Sequence, residues 1–264
     1  MAKIGLQLYT VKEDAAADFL GTVRDVGVMG YEGIEFAGFF GTPAAALRSA
    51  LDDAGLAAAG AVHPLHELDT SLPALIDYSR VIRSPAILFP WIDASLRADA
   101  GAWKRIADRF NAIGAACREN GLLFLYHIHG YEFATYDGET GLDLLMRYTD
   151  PSAVGLELDT YWVAHGGADV VQTYRQYADR VRYLHFKDAL DRVSWHDTEV
   201  GAGCLDLRGV AREAARHEVL WYLVEQERFT MPPMESAAIS LANLCRLAAA
   251  TSSDTLMSQL PSLS

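Results

Sequence analysis

Polar residues recur at a spacing of two at the ends of four apolar stretches in the second half of the sequence. In chain order the pairs are His127 and His129, Glu157 and Asp159, His185 and Lys187, and Glu225 and Glu227. Because side chains two residues apart in a strand point to the same face, each pair would present both groups on one side. Imidazoles and carboxylates without a thiolate suit Mn, Co, Zn, Fe or Mg. The pattern therefore predicts a divalent-metal site that includes Asp159, His185 and Glu225.

The alternative for any one of these residues is a purely structural role. A single acid or histidine at a strand end is commonly a hydrogen-bonded group or one half of an ion pair. Several unpaired charges buried at one point would each cost on the order of several kcal/mol, and a divalent cation removes that cost. Glu157 lies two residues before Asp159 and therefore deeper in the barrel. For Glu157 two further roles stay open, a hydrogen bond that supports a metal ligand and a buried ion pair.

A metal held by three or four side chains would support chemistry beside a carbonyl group. Such a metal has coordination positions left for two substrate oxygens. A carbonyl oxygen and the oxygen of the neighbouring hydroxyl suit these two positions. Such a cation acidifies the adjoining carbon and stabilises the enediolate that forms when a base removes the proton. Candidates for the base are Glu225, His127 and His129. Lys187 either polarises a substrate oxygen or forms a structural ion pair.

The fold must bring these strand ends together, and the sequence alternates regularly between strand and helix patterns. Eight stretches have the composition of strands, from "KIGLQLYT" to "EVLWYLVEQE", and a helical pattern follows each of them. Such alternation implies parallel strands connected by helices. Eight units in about 250 residues are typical of an α/β fold, the closed (β/α)₈ TIM barrel. We predict a single barrel over residues 1–250 and a loose polar tail over residues 251–264.

An open doubly wound sheet is the alternative architecture. It would normally place a glycine-rich turn after the first strand. The segment that follows the first strand here, "VKEDAAADF", contains no glycine. The barrel is therefore the preferred prediction.

The active site of such a barrel lies at the carboxyl ends of the strands. The last polar or aromatic residues of the first four strands are therefore further candidates. We expect these residues to contact substrate, and they are Gln7, Glu35, His63 and Trp91.

Composition narrows the classes of function. The net charge of −13 argues against binding to nucleic acid, which requires a basic surface. The three cysteines lack metal-ligand or redox spacing, and no stretch of 18 apolar residues or signal peptide is evident, so we expect a cytoplasmic protein without membrane association. Aromatic residues reach 10%, and the loops "AGFFGTP" and "ERFTMPPME" have apolar tips, which favours a homodimer.

A series of short motifs resembles one known family over nearly the whole chain. The motifs are, in order, "IGLQLYTVKED", "YEGIEFAG", "FPWID", "YHIHGYEF", "DPSAVGLELDTYW", "RVRYLHFKDA", "EVGAGCLD" and "WYLVEQER". They resemble the sugar phosphate isomerase/epimerase family, the xylose isomerase-like barrels that also include enzymes of the endonuclease IV type. The similarity is greatest to a subgroup with a Tyr-His-Asn-His motif followed by Glu-Phe.

The resemblance implies a ligand set. The family's acid after strand six corresponds to Asp159, its histidine after strand seven to His185, and its glutamate after strand eight to Glu225. Its first ligand is usually a glutamate at the end of strand five. This sequence has histidines there, so we expect His127 on the metal side and His129 on the substrate side.

The resemblance also bears on substrate contacts and on the cation. Glu132 is a loop alternative that orients an imidazole or contacts substrate. Trp162 stands where many relatives carry a histidine that holds substrate, and it stacks on the substrate or packs at the rim. The expected cofactor is Mn²⁺, with Mg²⁺, Co²⁺, Zn²⁺ and Fe²⁺ as alternatives.

The resulting functional prediction is a divalent-metal-dependent sugar isomerase or epimerase. The loops after strands seven and eight are acidic and aromatic, with Arg192 and Arg228 as their strong cations, so we expect a small carbohydrate or polyol substrate without phosphate. The alternative is a keto-sugar lyase or hydratase that uses the same site for β-elimination. A DNA-repair endonuclease and a catalytically inactive binding protein are less favoured.

Overall fold

The computed structural model describes residues 2–258 of the chain. Eight parallel strands close into a barrel in which each strand pairs with its neighbours in sequence and the last pairs with the first. The strands are β1 Lys3–Gln7, β2 Gly33–Phe36, β3 Ala57–Val62, β4 Ala86–Phe89, β5 Leu123–His127, β6 Val154–Asp159, β7 Val181–Phe186 and β8 Trp221–Val224. The predicted TIM barrel is thereby confirmed.

Helices cover the outside of the barrel. They are Lys12–Ala17, Phe19–Met29, Ala44–Ala54, Leu65–Ile82, Ala100–Glu119, Gly141–Tyr148, Thr160–His165, Val170–Tyr177, Leu207–Ala214 and Pro233–Ser258. Short 3₁₀ turns occupy Leu8–Val11, Ala94–Leu96 and Tyr131–Phe133. Two-residue strands pair in the loops, Thr135–Tyr136 with Glu139–Thr140 and Asp188–Ala189 with Asp197–Thr198. Among the described residues, no helix combines the length and apolar character needed to cross a bilayer.

The interior of the barrel is filled by a few large side chains that lie over glycines. A Cβ atom at Gly33 would come within 2.4 Å of the Trp221 ring, and one at Gly155 within 2.7 Å of Leu125. The Tyr183 hydroxyl donates across the interior to the carbonyl of Ala59. This apolar plug closes the amino-terminal half of the barrel, so the polar side chains gather above it at the carboxyl ends.

Strand alternation explains the polar spacing seen in the sequence. In β6, Leu156 and Leu158 are fully buried against the helical layer, whereas Glu157 and Asp159 belong to buried clusters of acids and histidines inside the barrel. Ile128, between His127 at the end of β5 and His129 just after it, packs in the same outer core. The outward residues thus anchor the strands while the inward residues form the site.

Part of the predicted loose tail is helical. The last helix continues to Ser258, so it includes residues 251–258, and the rest of the predicted tail lies outside the described residues. Strand β6 ends at Asp159, whose side chain caps the helix that begins at Thr160. The helix after β3 begins at Leu65 and carries Pro73 in its interior.

Candidate active site

Four buried side chains from four adjacent strand ends converge at the centre of the barrel mouth. His127, Asp159, His185 and Glu225 each offer one ligand atom, and these atoms lie within 4.8 Å of one another. The set combines two imidazoles with two carboxylates, which suits a divalent cation of the Mn, Zn or Fe type. The structure therefore brings together the four residues that the sequence assigned to a metal.

One carboxylate oxygen of Asp159 has no hydrogen-bond partner among the described residues. Its Oδ1 accepts the backbone N–H of Trp162 at 2.8 Å and so caps the following helix. Its Oδ2 is buried, lies 3.9 Å from His185 Nδ1, and has no hydrogen-bond partner within the described part of the chain. A buried carboxylate oxygen without a partner is costly. A cation held between Asp159 and His185 would remove that cost, so the donor set fits a metal.

His185 is surrounded by carboxylates. Its Nδ1 lies 3.0 Å from Glu225 Oε2, and its Nε2 lies 3.1 Å from Glu35 Oε1. Burial alone would lower the pKa of His185, but the charges of Glu157 and Glu35 outweigh it and raise that pKa well above its ordinary value. For Glu225, burial is outweighed by the charge of Lys187 and the hydrogen bond with His185, so its pKa is lowered. Glu225 is therefore an ionised carboxylate at neutral pH.

The two histidines at the end of β5 have different surroundings. His127 Nδ1 lies 3.0 Å from Glu157 Oε2, and the His127 ring is 4.6 Å from the His185 ring. His129 is instead 5.0 Å from the ring of Trp91 and 5.1 Å from that of Trp162. Burial lowers the pKa of His127 to about 3 and that of His129 to about 2, so both are neutral imidazoles at neutral pH.

An open cavity of about 520 Å³ lies directly above the cluster. Its size falls within the range of small-molecule sites. Acids, imidazoles and aromatic rings share its wall, which consists of Gln7, Tyr9, Ala37, Val62, Pro64, Pro90, Trp91, His127, His129, Glu157, Trp162, His185, Glu225 and Glu227. The arrangement can hold a small polar molecule with one end at the acid–imidazole cluster and one face against a ring.

Comparison with known proteins matches this architecture. Residues 23–247 fit the profile of the xylose isomerase-like TIM barrel family. This chain belongs to that family. It is also similar to inosose dehydratase of Geobacillus kaustophilus, with 36% identity over 86 residues. That match covers 33% of this chain and 27% of the relative, so the chain spans less than a third of the length of that protein.

Two solved structures show the same barrel. A sugar phosphate isomerase/epimerase from Parabacteroides distasonis superposes with a TM-score of 0.83 and 22% identity over 95% of this chain and 96% of that one. An L-ribulose 3-epimerase superposes with a TM-score of 0.79 and 16% identity over the full length of both chains. These similarities show that this chain and the two solved structures share one fold.

Within this xylose isomerase-like barrel, four of the residues predicted to contact substrate or to act in catalysis lie outside the cavity wall. His63 follows a bulge in β3 where Ile34 pairs with Ala58 but Glu35 pairs with Gly60. The extra residue reverses the alternation, so Val62 lines the cavity and His63 turns outward to bond Glu67 at 3.0 Å. His63 therefore lies outside the cavity wall, and its contact with substrate stays a prediction.

Glu132 and Lys187, predicted as catalytic, are also enclosed by protein. Glu132 is fully buried beside Tyr126 on the outer side of β5 and holds the backbone of the following loop. Lys187 is only 1% exposed and bonds Glu227, with Asp197 Oδ2 at 3.9 Å. Neither side chain lines the cavity, so neither is placed to contact substrate in this conformation.

Glu35 lies below the cavity rather than in its wall. It is fully buried and bonds both Gln7 and His185, so it supports the cluster from beneath and does not reach substrate hydroxyls. The wall also contains Tyr9 and Glu227, which the predicted site omitted. The sequence pattern that marks both residues is the spacing of two at strand ends, because Tyr9 lies two residues after Gln7 and Glu227 two residues after Glu225.

Proposed function

We propose that this protein is a divalent-metal-dependent enzyme that removes a proton from the carbon beside a carbonyl of an unphosphorylated sugar or polyol derivative, and so isomerises or epimerises it. The observation that carries the proposal is the convergence of His127, Asp159, His185 and Glu225 at the floor of an open cavity. We propose Mn²⁺ as the cation and the cytoplasm as the compartment. When bound, the cation would supply Lewis-acid polarisation of the carbonyl.

The side chains of the cavity suggest a division of roles. Glu225 is ionised and lines the cavity, so it is our candidate for the base that takes the proton. His129 stands on the β5 side of the cavity as a neutral imidazole that can donate or accept a hydrogen bond. The pair would hold the two ends of the reacting unit, with the proton moving to a Glu225 oxygen.

The walls favour a neutral carbohydrate. Trp91 is 50% exposed beside the cavity, and Trp162 and Tyr9 add two further rings on which the apolar face of a sugar can stack. No lysine or arginine occurs in the wall as far as the described residues form it, and Lys187 behind the wall is already paired with Glu227. A phosphate group would therefore meet carboxylates without a cation of the protein to receive it.

A keto-sugar dehydratase or lyase is the second candidate. It begins with the same proton removal and continues with loss of a β-hydroxyl or β-alkoxy group. The observation that favours it is the sequence similarity to a protein named inosose dehydratase. In that case His129 is the candidate for the group that assists departure of the leaving oxygen, since it lines the cavity as a neutral imidazole outside the buried donor cluster.

Proton exchange in deuterated water tests the proposal and separates the two candidates. Metal-free and Mn²⁺-loaded protein would be incubated with ketoses, inososes and 3-keto-glycosides and followed by NMR. We expect Mn²⁺-dependent deuterium at the carbon beside the carbonyl. An epimer or isomer identifies the first candidate, and an unsaturated product identifies the second. Exchange that is equally fast in an Asp159→Ala variant would contradict a metal-dependent reaction.

A further inference from the structure

Two further carboxylates contact the histidines of the four-residue cluster, and neither is proposed as a ligand. One of them, Glu157, also reaches the cavity wall. Glu35 in β2 and Glu157 in β6 are both 0% exposed. Each contacts the side of an imidazole that faces the barrel interior. We call Glu35 and Glu157 the carboxylate floor of the site.

The floor contacts a different nitrogen on each histidine. Glu157 Oε2 lies 3.0 Å from Nδ1 of His127. On His185 it is Nε2 that faces the floor, at 3.1 Å from Glu35 Oε1 and at 3.1 Å from Glu157 Oε1. Of these two contacts, the one to Glu35 has hydrogen-bond geometry, whereas Glu157 Oε1 makes a close charge contact. Glu157 thus touches both imidazoles, with one oxygen on each.

These contacts determine which ring nitrogen is available above the floor. A carboxylate oxygen accepts a hydrogen bond, so the imidazole nitrogen that faces it carries the proton. For His127 the proton then lies on Nδ1 and the lone pair on Nε2. For His185 bound to a cation, the proton lies on Nε2 and the lone pair on Nδ1, the nitrogen that faces Asp159 and Glu225. The two histidines therefore require opposite tautomers.

The floor is itself held in place by the barrel. Gln7 in β1 donates its amide to Glu35, and its own side-chain oxygen accepts the N–H of Tyr9 at 3.0 Å. Glu157 sits between Leu156 and Leu158, whose side chains are fixed in the outer core. The orientation of both imidazoles is consequently set by strand positions rather than by mobile loops.

We propose that Glu157 and Glu35 are positioning residues that fix opposite tautomers, Glu157 that of His127 and Glu35 that of His185, so that His127 offers Nε2 and His185 offers Nδ1 to one cation. The inference rests on the metal site of the proposed function. It also explains how His127 can act as a metal ligand at the end of β5, where the family usually has a glutamate. A carboxylate that accepts the far N–H of an imidazole makes that imidazole a stronger ligand. The His127–Glu157 pair thereby provides negative charge at a position that His127 alone leaves neutral.

The tautomers can be read directly by NMR of protein labelled with nitrogen-15 histidine, with Zn²⁺ as a diamagnetic probe. We expect the His127 signals, assigned by comparison with His127→Gln, to show a protonated Nδ1 in both metal-free and Zn²⁺-loaded protein. The His185 signals should show a protonated Nε2 in the Zn²⁺-loaded state. Either histidine with the opposite tautomer in wild-type protein would overturn the proposal, and this reading does not depend on any variant folding.

Titration of the protein with Mn²⁺ provides a second test of the proposal. Glu157→Gln keeps the side-chain volume, and we expect it to weaken Mn²⁺ binding by about 10–100-fold. The matched control is Glu67→Gln, which alters another Glu–His pair, that of Glu67 with His63 at 3.0 Å, outside the cavity. It should leave Mn²⁺ binding unchanged.

The outcomes distinguish this inference from the proposed function. If wild-type protein binds no Mn²⁺, the proposed function fails, whatever the tautomer of His127. If wild-type protein binds one Mn²⁺ and Glu157→Gln binds it equally well with unchanged tautomers, only the present inference fails. A second Mn²⁺ per chain that disappears in Glu35→Gln would also overturn it, because the floor oxygens would then be ligands.

Discussion

Both carboxylate oxygens of Glu132 accept the backbone N–H of His129, each at 3.0 Å. The Tyr126 hydroxyl donates to the same carboxylate from the strand below. Glu132 therefore ties the loop that carries His129 to the outer side of β5. Burial raises the pKa of Glu132 to about 7, although the hydrogen bonds from His129 and Tyr126 oppose the shift.

The raised pKa of Glu132 predicts a pH-dependent stability. The carboxyl titrates near its ordinary value of 4.5 in the unfolded chain and at about 7 in the folded protein. Between these values the folded state holds the proton more tightly, so stability falls as pH rises. We expect metal-free wild-type protein to lose on the order of 1 kcal/mol per pH unit relative to Glu132→Gln between pH 5 and 7. Urea unfolding at several pH values measures this difference, and parallel pH profiles for the two proteins would contradict it.

His127 and His129 should respond differently to the same substitution. His127 is a member of the buried donor cluster, whereas His129 lies between Trp91 and Trp162 in the cavity wall. We expect His127→Gln to weaken Mn²⁺ binding by at least tenfold. His129→Gln should bind Mn²⁺ normally but slow proton exchange by about 10²–10³-fold, the range for loss of one hydrogen bond to the charge that develops on the substrate. Normal Mn²⁺ binding and exchange in both variants would show that the motif serves packing alone.

Trp162 should contribute to substrate binding more than to the chemical step. Its ring is partly exposed and lies 5.1 Å from His129 in the cavity wall. Stacking on an aromatic ring is worth about 1 kcal/mol, so Trp162→Ala should raise KM about fivefold with little change in kcat. Trp162→Phe, which keeps a ring, is the matched control. Steady-state kinetics on the substrate found by proton exchange provides the measurement, and an unchanged KM would assign Trp162 to rim packing.

We also predict a homodimer. Phe40, at the tip of the loop after β2, is 51% exposed, and exposed apolar loop tips commonly become interfaces. Light scattering at micromolar concentration should give twice the chain mass of 28.9 kDa. Phe40→Ser is expected to shift the population towards monomer. A monomer mass for wild-type protein would refute the prediction.

The sequence predicted the barrel and its buried cluster of acids and histidines because both follow from strand alternation. Asp159 and Glu225 lie inside the barrel for the same reason that Leu158 and Val224 lie in the outer core. The orientation of His63 depends on one extra residue in β3 that reverses the alternation. Gly60 at this point is a sequence signal for a bulge, but a glycine in a strand does not by itself show which residue is the extra one. The position of Glu132 depends on the path of the loop after β5, which contacts with Tyr126 determine.

Metal binding by the four-residue cluster is tested most directly by equilibrium dialysis of metal-free protein against Mn²⁺, with bound metal measured by atomic absorption. We expect one Mn²⁺ per wild-type chain. Asp159→Ala and His185→Ala should lose it while circular dichroism shows a folded barrel, because each removes a donor from the cluster. Glu67→Gln should retain it. Full Mn²⁺ occupancy in folded Asp159→Ala and His185→Ala, or no bound Mn²⁺ in wild-type protein, would contradict the account.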